Sequence, residues 1–311
     1  MTSIRTHLLN QVLKISVKKR LQDTPMSPQE IARSRKRLNR LGLVAAKRKS
    51  SSVTFTEDSL NDVKVCWCEP TAQAQRIRPV LLHCHGGAYL VGSSSAYRGF
   101  GANLALAIDA KVGLLDYRLA PEAPFPAAPK DALAAYKRLL ELGHKPSEIA
   151  ISGDSAGGNL ALATLQNIVE EGLPQVAGGV LLSPWTDLSG SGDSVRHNER
   201  ADSMLPSNRL QEAAMMYAGN TPLDDRRVSP LFGDFNGLPP LLTHVGSGEI
   251  LLDDARRVHA SAQAAGIASE LKEWPGVPHV FQAFADVIPE GSAAIKEIAQ
   301  WLNERWQQAA A

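Results

Sequence analysis

The 311-residue sequence is short of cysteine, of aromatic residues and of long apolar runs. Its three cysteines, Cys66, Cys68 and Cys84, are an odd number in a chain of this size. A disulfide framework is therefore not expected, and a reducing, cytoplasmic setting is. No stretch approaches the roughly 18–20 consecutive apolar residues of a membrane-spanning helix, so no integral membrane segment is expected. The apolar run Leu8–Val17 is interrupted by Asn10, Gln11 and Lys14, and no small-residue cleavage site follows it, which argues against a secretory signal. The first 50 residues lack aromatic side chains altogether and hold only two acids, Asp23 and Glu30, against 13 of the 33 Lys and Arg, a net +11, while the remainder carries −10. A basic segment without interleaved aromatics is a poor single-strand binder, so nucleic acid is not expected as a partner. The pattern predicts helices whose basic side chains face water and whose other face, with Ile4, Leu8, Val12, Ile31 and Leu38, packs onto the body. An anionic surface or a nucleic acid as the leader's partner is the alternative, the second disfavoured by the missing aromatics.

The composition that is present, 44% apolar with 21% charged residues, is that of a globular protein, and the length suits one α/β body with insertions. From about Ser52 onward, short β-type runs at Ser52–Glu57, Val63–Cys68, Val80–Cys84, Val112–Asp116, Ile149–Ser152, Val180–Ser183 and Leu241–Val245 are separated by helical patterns such as Asp131–Leu142 and Asn159–Glu171. Alternation of this kind predicts parallel strands joined by crossover helices, and the first two runs read as a hairpin. Residues 1–50 and 186–235 break the rhythm and are long enough to cover the ligand-binding end of the sheet. The expected organisation is thus cap helices in 1–50, a catalytic α/β part in 51–185, a cap insertion in 186–235 and the rest of the α/β body in 236–311.

The strongest local signal is Gly153-Asp154-Ser155-Ala156-Gly157-Gly158, directly after the run Ile149–Ser152 and directly before a helix. A nucleophile elbow needs this layout: the serine sits on a strained strand-to-helix turn, and glycines on either side let backbones approach. The amide of Ala156 at the helix start favours a developing oxyanion. Upstream, His85-Gly86-Gly87-Ala88 closes the run Val80–Cys84, and two of the amides of Gly86, Gly87 and Ala88 could complete an oxyanion hole. Cys66-x-Cys68 and His83-x-His85 superficially suggest zinc. Alternate residues on a strand lie about 7 Å apart, unlike the wider ligand spacing of metal turns, so no metal is expected.

With these motifs in order, the chain resembles the hormone-sensitive-lipase-like family of bacterial carboxylesterases of the α/β-hydrolase superfamily. The resemblance extends to Tyr117-Arg118-Leu119-Ala120-Pro121-Glu122, Phe125-Pro126-Ala127-Ala128 and Ser183-Pro184-Trp185, and runs from about residue 50 to about 300. Ala88 replaces the last glycine of the family's HGGG motif, a mild departure because the backbone amide is the working group. The resemblance implies an α/β-hydrolase fold, a mostly parallel sheet flanked by helices and topped by a helical cap, with a triad ordered nucleophile, acid, histidine. Of His197, His244, His259 and His279, the last sits in a loop similar to the family's histidine loop, with Val280 in the place of a glycine. The family's Asp-Pro-Leu-x-Asp pattern falls on Glu249-Ile250-Leu251-Leu252-Asp253, which makes Glu249 the triad acid and leaves Asp253, one helical turn on, as the alternative.

The implied activity is hydrolysis of short-chain acyl esters through an acyl-enzyme on Ser155, without a cofactor. A lactone is the variant substrate, and a ligand-binding protein that has lost turnover is the other class, although such a protein would normally lack the serine or the histidine. Trp185, Met204, Leu205, Met215, Met216, Tyr217 and Phe281 are candidates to line an acyl pocket, with simple helix packing as the alternative for the methionines. By the same resemblance, Tyr117, Arg118 and Glu122 brace the loop beneath the site. The sequence leaves the oligomeric state, monomer or homodimer, open.

Overall fold

Each strand read from the sequence is present in the computed structural model, which describes residues 2–72 and 78–310. Three helices come first: α1 (Ile4–Leu13), α2 (Lys19–Asp23) after a π-helical turn at Lys14–Lys18, and α3 (Pro28–Lys47). There follow β1 (Val53–Leu60), β2 (Val63–Pro70), β3 (Val80–Cys84), α4 (Ser94–Ile108), β4 (Lys111–Asp116), α5 (Ala127–Glu141), β5 (Ile149–Asp154), α6 (Ala156–Glu170) and β6 (Gly178–Leu182). The short α7 (Ser194–His197) and α8 (Ser207–Ala218) precede β7 (Leu241–Gly246), and α9 (Leu252–Ala264), β8 (Ser269–Trp274) and α10 (Pro289–Ala310) come last. Helix starts obey local chemistry: the Ser27 side chain accepts the N–H of Glu30, and Pro28 occupies the first helical position of α3, where its missing N–H costs nothing.

The strands form one sheet in the order β1-β2-β4-β3-β5-β6-β7-β8. The β1–β2 and β2–β4 pairs are antiparallel and all the others parallel, so the antiparallel start and parallel body expected from the hairpin and the alternation are both present. Because helices cover both faces of the inner part, β3, β5, β6 and β7 are buried along their whole length, whereas the edge strand β8 is charged and partly exposed, and successive inner residues serve different layers. Val80, Leu82, Ile149 and Ile151 face Leu139 of α5, Leu160 of α6 and Val258 of α9, while Leu81 and Ala150 face Leu104 of α4 and Trp301 of α10. Each such fully buried aliphatic side chain contributes roughly 1.5–3 kcal/mol relative to exposure. The chain runs from β3 to β4 on one side and returns past β3 to β5 on the other. The crevice at the carboxyl ends of β3 and β5 is therefore the topological switch point, where open α/β sheets bind ligands.

The leader departs from expectation. Ile31 is buried, but Ile4, Leu8 and Val12 are 81%, 63% and 59% exposed and Leu38 lies at the surface. The inner side of α1 is instead held by Thr6 and Leu13 and by polar contacts. Ser3 Oγ and Thr6 Oγ1 donate to Glu290 Oε2 at 3.0 and 2.6 Å, and Asn10 Nδ2 donates to the Gly276 carbonyl at 2.8 Å. Lys18 is buried, its ammonium donating to the Asp202 carbonyl at 3.0 Å and facing Glu199 at 3.6 Å, and Arg209 Nε donates to the Leu21 carbonyl at 2.8 Å. These contacts join residues 1–50 to the segment between β6 and β7.

α3 lies against α4 at Gly42, where a Cβ would strike the carbonyl oxygens of Ser95 and Ala96. Arg35 pins the same helix to the body: its Nε donates to the Leu90 carbonyl at 2.8 Å and Nη2 to the Ala120 carbonyl at 2.9 Å. Gly42→Val is accordingly expected to destabilise the protein by about 1–3 kcal/mol through overpacking. A thermal melt checks this, and an unchanged midpoint would mean that α3 is not seated as described.

Candidate active site

Ser155 follows β5 directly and heads α6, with φ 54° and ψ −122°, a backbone conformation unfavourable for a side chain with a Cβ. The surroundings over-determine it. The Ser155 N–H donates to the Leu182 carbonyl at 2.9 Å, and the Ser155 carbonyl accepts the N–H of Trp185 at 3.0 Å. Gly157 permits the close crossing beneath, since a Cβ there would run into the carbonyl oxygens of Cys84 and His85. Ser155 Oγ has no hydrogen-bond partner among the described residues.

The loop after β3 is shaped by a buried carboxylate. Asp154 Oδ1 accepts the N–H of Gly86 at 3.0 Å and lies 3.1 Å from His83 Nε2, and Oδ2 accepts the Tyr97 hydroxyl at 2.8 Å. This corrects one expectation: the Gly86 amide is turned inward to Asp154 and is not free for an oxyanion. Gly87 (φ 118°) and Ala88 (φ 55°) turn the chain back, and their amides, like that of Ala156, make no hydrogen bond among the described residues. The Tyr117 hydroxyl donates to the His85 carbonyl at 2.5 Å, and its ring stacks on His85 at 4.4 Å. Burial lowers the His85 pKa, which keeps that ring neutral, and its Nδ1 donates to the Gly86 carbonyl at 2.7 Å. Arg118 instead pairs with Asp131, and Glu122 with Arg35 of the leader.

At the ends of β6, β7 and β8 a second buried carboxylate gathers the remaining groups. Glu249 Oε2 accepts from His279 Nδ1 at 2.6 Å, and Oε1 accepts from Ser183 Oγ at 2.7 Å and from the Gly246 N–H at 2.5 Å. Ser183 Oγ also accepts the N–H of Val280 at 3.2 Å, which fixes the histidine loop. The elbow and the histidine loop are thus anchored on consecutive residues, Leu182 and Ser183. Burial acts to lower the His279 pKa, but the charge of Glu249, its hydrogen bond and the charges of Asp202 and Asp154 outweigh it and raise the pKa above the ordinary 6.5. Asp253 is engaged elsewhere, accepting the Ser194 N–H at 2.8 Å.

The lining candidates separate. Phe281 is fully buried against Trp274, with ring centroids 5.1 Å apart, in a cluster with Val277 and Ile288, so it packs the core behind the histidine loop and does not line a pocket. Tyr217 is buried and stacked on Tyr89 at 3.6 Å, Trp185 is buried, and Met215 is 56% exposed. Leu205 and Met216 are partly buried against the main core, and the Met204 N–H donates to Asp202 Oδ1 at 2.8 Å. Cys66 and Cys68 of β2 and His83 of β3 sit on strands separated by β4. Sequence reasoning missed Ser183, Asp154 as the organiser of the glycine loop, and Asp202. Asp202 is buried and accepts the N–H groups of Met204, Leu205 and Ile250, and burial followed by the charge of Glu249 raises its pKa. Ser183 and Asp154 carried a signal, as the first residue of Ser-Pro-Trp and as a member of the Gly153–Gly158 motif, whereas Asp202 carried none.

Comparison with known proteins gives the family. Residues 81–283 match a family model described as alpha/beta hydrolase fold. An acetyl-hydrolase of Streptomyces hygroscopicus is 41% identical over 237 residues, covering 76% of this chain and 78% of that protein. An esterase of Acinetobacter venetianus is 39% identical over 234 residues, 75% of this chain and 77% of that protein. The crystal structure of an esterase from the bacterial hormone-sensitive lipase family superimposes with a TM-score of 0.87 at 35% identity, covering 98% of this chain and 99% of that one. That of the esterase EstE5 soaked with p-nitrophenyl butyrate gives 0.90 at 34% identity over 98% and 99% of the two chains.

A base works only when neutral, and the raised pKa means that His279, proposed below as the base, takes up its proton at a higher pH than an ordinary imidazole. The acid limb of kcat/KM should therefore have its midpoint above about 6.5. Glu249→Gln removes the charge that raises it and should move the limb to lower pH, whereas Asp253→Asn should leave it in place. A limb unmoved in Glu249→Gln, or moved in Asp253→Asn, would contradict the pairing.

Proposed function

The chain belongs to the alpha/beta hydrolase fold family, as a carboxylic ester hydrolase of its hormone-sensitive-lipase-like branch, and from this we propose that it cleaves short-chain acyl esters through an acyl-enzyme on Ser155. His279 takes the Ser155 proton as Oγ attacks the ester carbonyl carbon. Glu249 holds the imidazole in the tautomer with Nδ1–H and stabilises the imidazolium that forms. The oxyanion is received by the amides of Gly87, Ala88 and Ala156, which make no hydrogen bond among the described residues, so that no internal bond has to break as charge develops. The tetrahedral species collapses as His279 returns the proton to the departing alcohol. Water, activated by the same histidine, then releases the acid.

The observations that carry this reading are the buried Glu249–His279 hydrogen bond of 2.6 Å and a serine held at positive φ at the turn from β5 to α6. Short acyl groups are favoured by the small-molecule ester used on EstE5 and by the acetyl-hydrolase relative. In the same reading, residues 1–50 and 186–235 cap the pocket, and Trp185, Met204, Leu205 and Met216 contribute to its lining. No helix among the described residues is long and apolar enough to cross a membrane. The three unpaired, buried cysteines fit a reducing cytosol.

Ser155→Ala is expected to lower kcat on p-nitrophenyl butyrate by roughly a million-fold, with the thermal melt unchanged. Activity within about tenfold of the wild type would end the proposal, since oxyanion donors and binding alone supply far less than the intact triad.

A further inference from the structure

Eight of the fourteen exposed large aliphatic and aromatic side chains among the described residues lie in the first 47 positions. Ile4, Leu8, Val12 and Ile15 are 81%, 63%, 59% and 70% exposed and form one continuous stripe along the outer side of α1 and the π-helical turn that follows it. On the outer face of α3, Leu41, Leu43 and Val44 are likewise exposed, and a shallow concavity of ≈ 540 Å³ is lined by Lys36, Asn39, Arg40, Leu43, Val44 and Lys47. Arg5 and Lys19 beside the stripe, and Lys36, Arg37, Arg40 and Lys47 on α3, make no ion pair with a described residue. Folding has left this surface both apolar and cationic, and no described residue neutralises either property.

We propose that these leader helices dock the protein on an anionic lipid bilayer, with the Ile4–Ile15 stripe entering the headgroup region and the surrounding lysines and arginines pairing with lipid phosphates. Three observations favour this occupant. Aliphatic side chains ringed by basic ones match a surface that is apolar in depth and anionic at its rim. A second copy of the chain would bring two such rims of like charge face to face, in a segment of net +11. A single-stranded nucleic acid would want stacking partners, and the segment has no aromatic residue, while a duplex would give the exposed aliphatic stripe nothing apolar to enter. The attachment is interfacial, since no described helix is able to span a membrane.

The placement also bears on the pocket. The inner side of α1 touches the histidine loop: Leu9 packs with Val277 and Phe281, and Thr2 Oγ1 and Asn10 Nδ2 donate to the carbonyls of Pro275 and Gly276, both at 2.8 Å. Docking by the outer side sets that loop about one helix diameter, roughly 10 Å, from the lipid. The inference does not rest on the catalytic reading, because its readout is binding.

The test is co-sedimentation of the full chain with phosphatidylcholine vesicles, with and without phosphatidylglycerol. The wild type is expected to pellet with the phosphatidylglycerol vesicles, far less with phosphatidylcholine alone, and less again at about 1 M salt, where screening is nearly complete. The double variant Leu8→Glu, Ile15→Glu should keep its melt and its hydrolysis of soluble p-nitrophenyl butyrate while losing roughly tenfold or more in partition coefficient. Ser155→Ala should bind as the wild type does. No pelleting with phosphatidylglycerol, equal pelleting with both vesicle types, or undiminished binding of the double variant would overturn the proposal. So would light scattering that showed the stripe holding a dimer which the double variant dissociates.

Discussion

The carboxylate of Glu249 is the point on which the catalytic end of the molecule converges. It is 1% exposed, and a charge so buried persists only if its lone pairs are occupied. Its partners come from three different strand ends: Ser183 after β6, the Gly246 N–H at the end of β7, and His279 after β8. Those ends meet because the strands are parallel and paired in register, Leu182 with His244 and Gly246 with Trp274. Stripping a partner from a buried pair costs on the order of 3–5 kcal/mol, so the fold and the site stabilise each other. The extra methylene of a glutamate, where the resemblance implies an aspartate, is accommodated by a carboxylate that reaches back to the N–H of a residue three positions earlier.

A second buried carboxylate does comparable work on the other side of Ser155. Asp154 stands next to the serine in sequence yet points away from it, collecting His83, the Gly86 amide and the Tyr97 hydroxyl. By consuming the Gly86 donor it fixes the turn in which the next two amides are left unbonded. The proposed chemistry therefore divides between two anions: Glu249 orients the base, and Asp154 orients the donors. Neither needs to touch a substrate. The charge of Asp154 also reaches His279 and adds to the rise in its pKa.

Much of the fold was legible because strands buried on both faces leave apolar runs, and because glycine-flanked Ser155 and the Gly86–Gly87 pair are demanded by backbone geometry. Ser155, Glu249 and His279 were named from motif order, and the structure brings Glu249 and His279 into contact. Other features were not readable. The periodicity of Ile4, Leu8 and Val12 declares a stripe but not its direction, and here polar contacts of Ser3, Thr6 and Asn10 decide which side faces inward. The fate of the Gly86 amide depends on Asp154, 68 residues away, and no local pattern encodes it. Phe281 lies two residues from His279 but turns to Trp274, because the left-handed backbone at Val280 reverses the chain between them.

The leader connects these themes. Its inner side is built into the loop that carries His279, and its outer side is exposed, apolar and basic, so the docking proposed above would set the same helices between that loop and the lipid. The central claim nonetheless concerns Ser155, and covalent capture tests it most directly. Treated with a fluorophosphonate, the full-length protein is expected to take up one equivalent per chain, with peptide mapping placing the label on Ser155 and with loss of esterase activity in proportion. An unlabelled protein, or a label on another residue while activity is lost, would contradict the account.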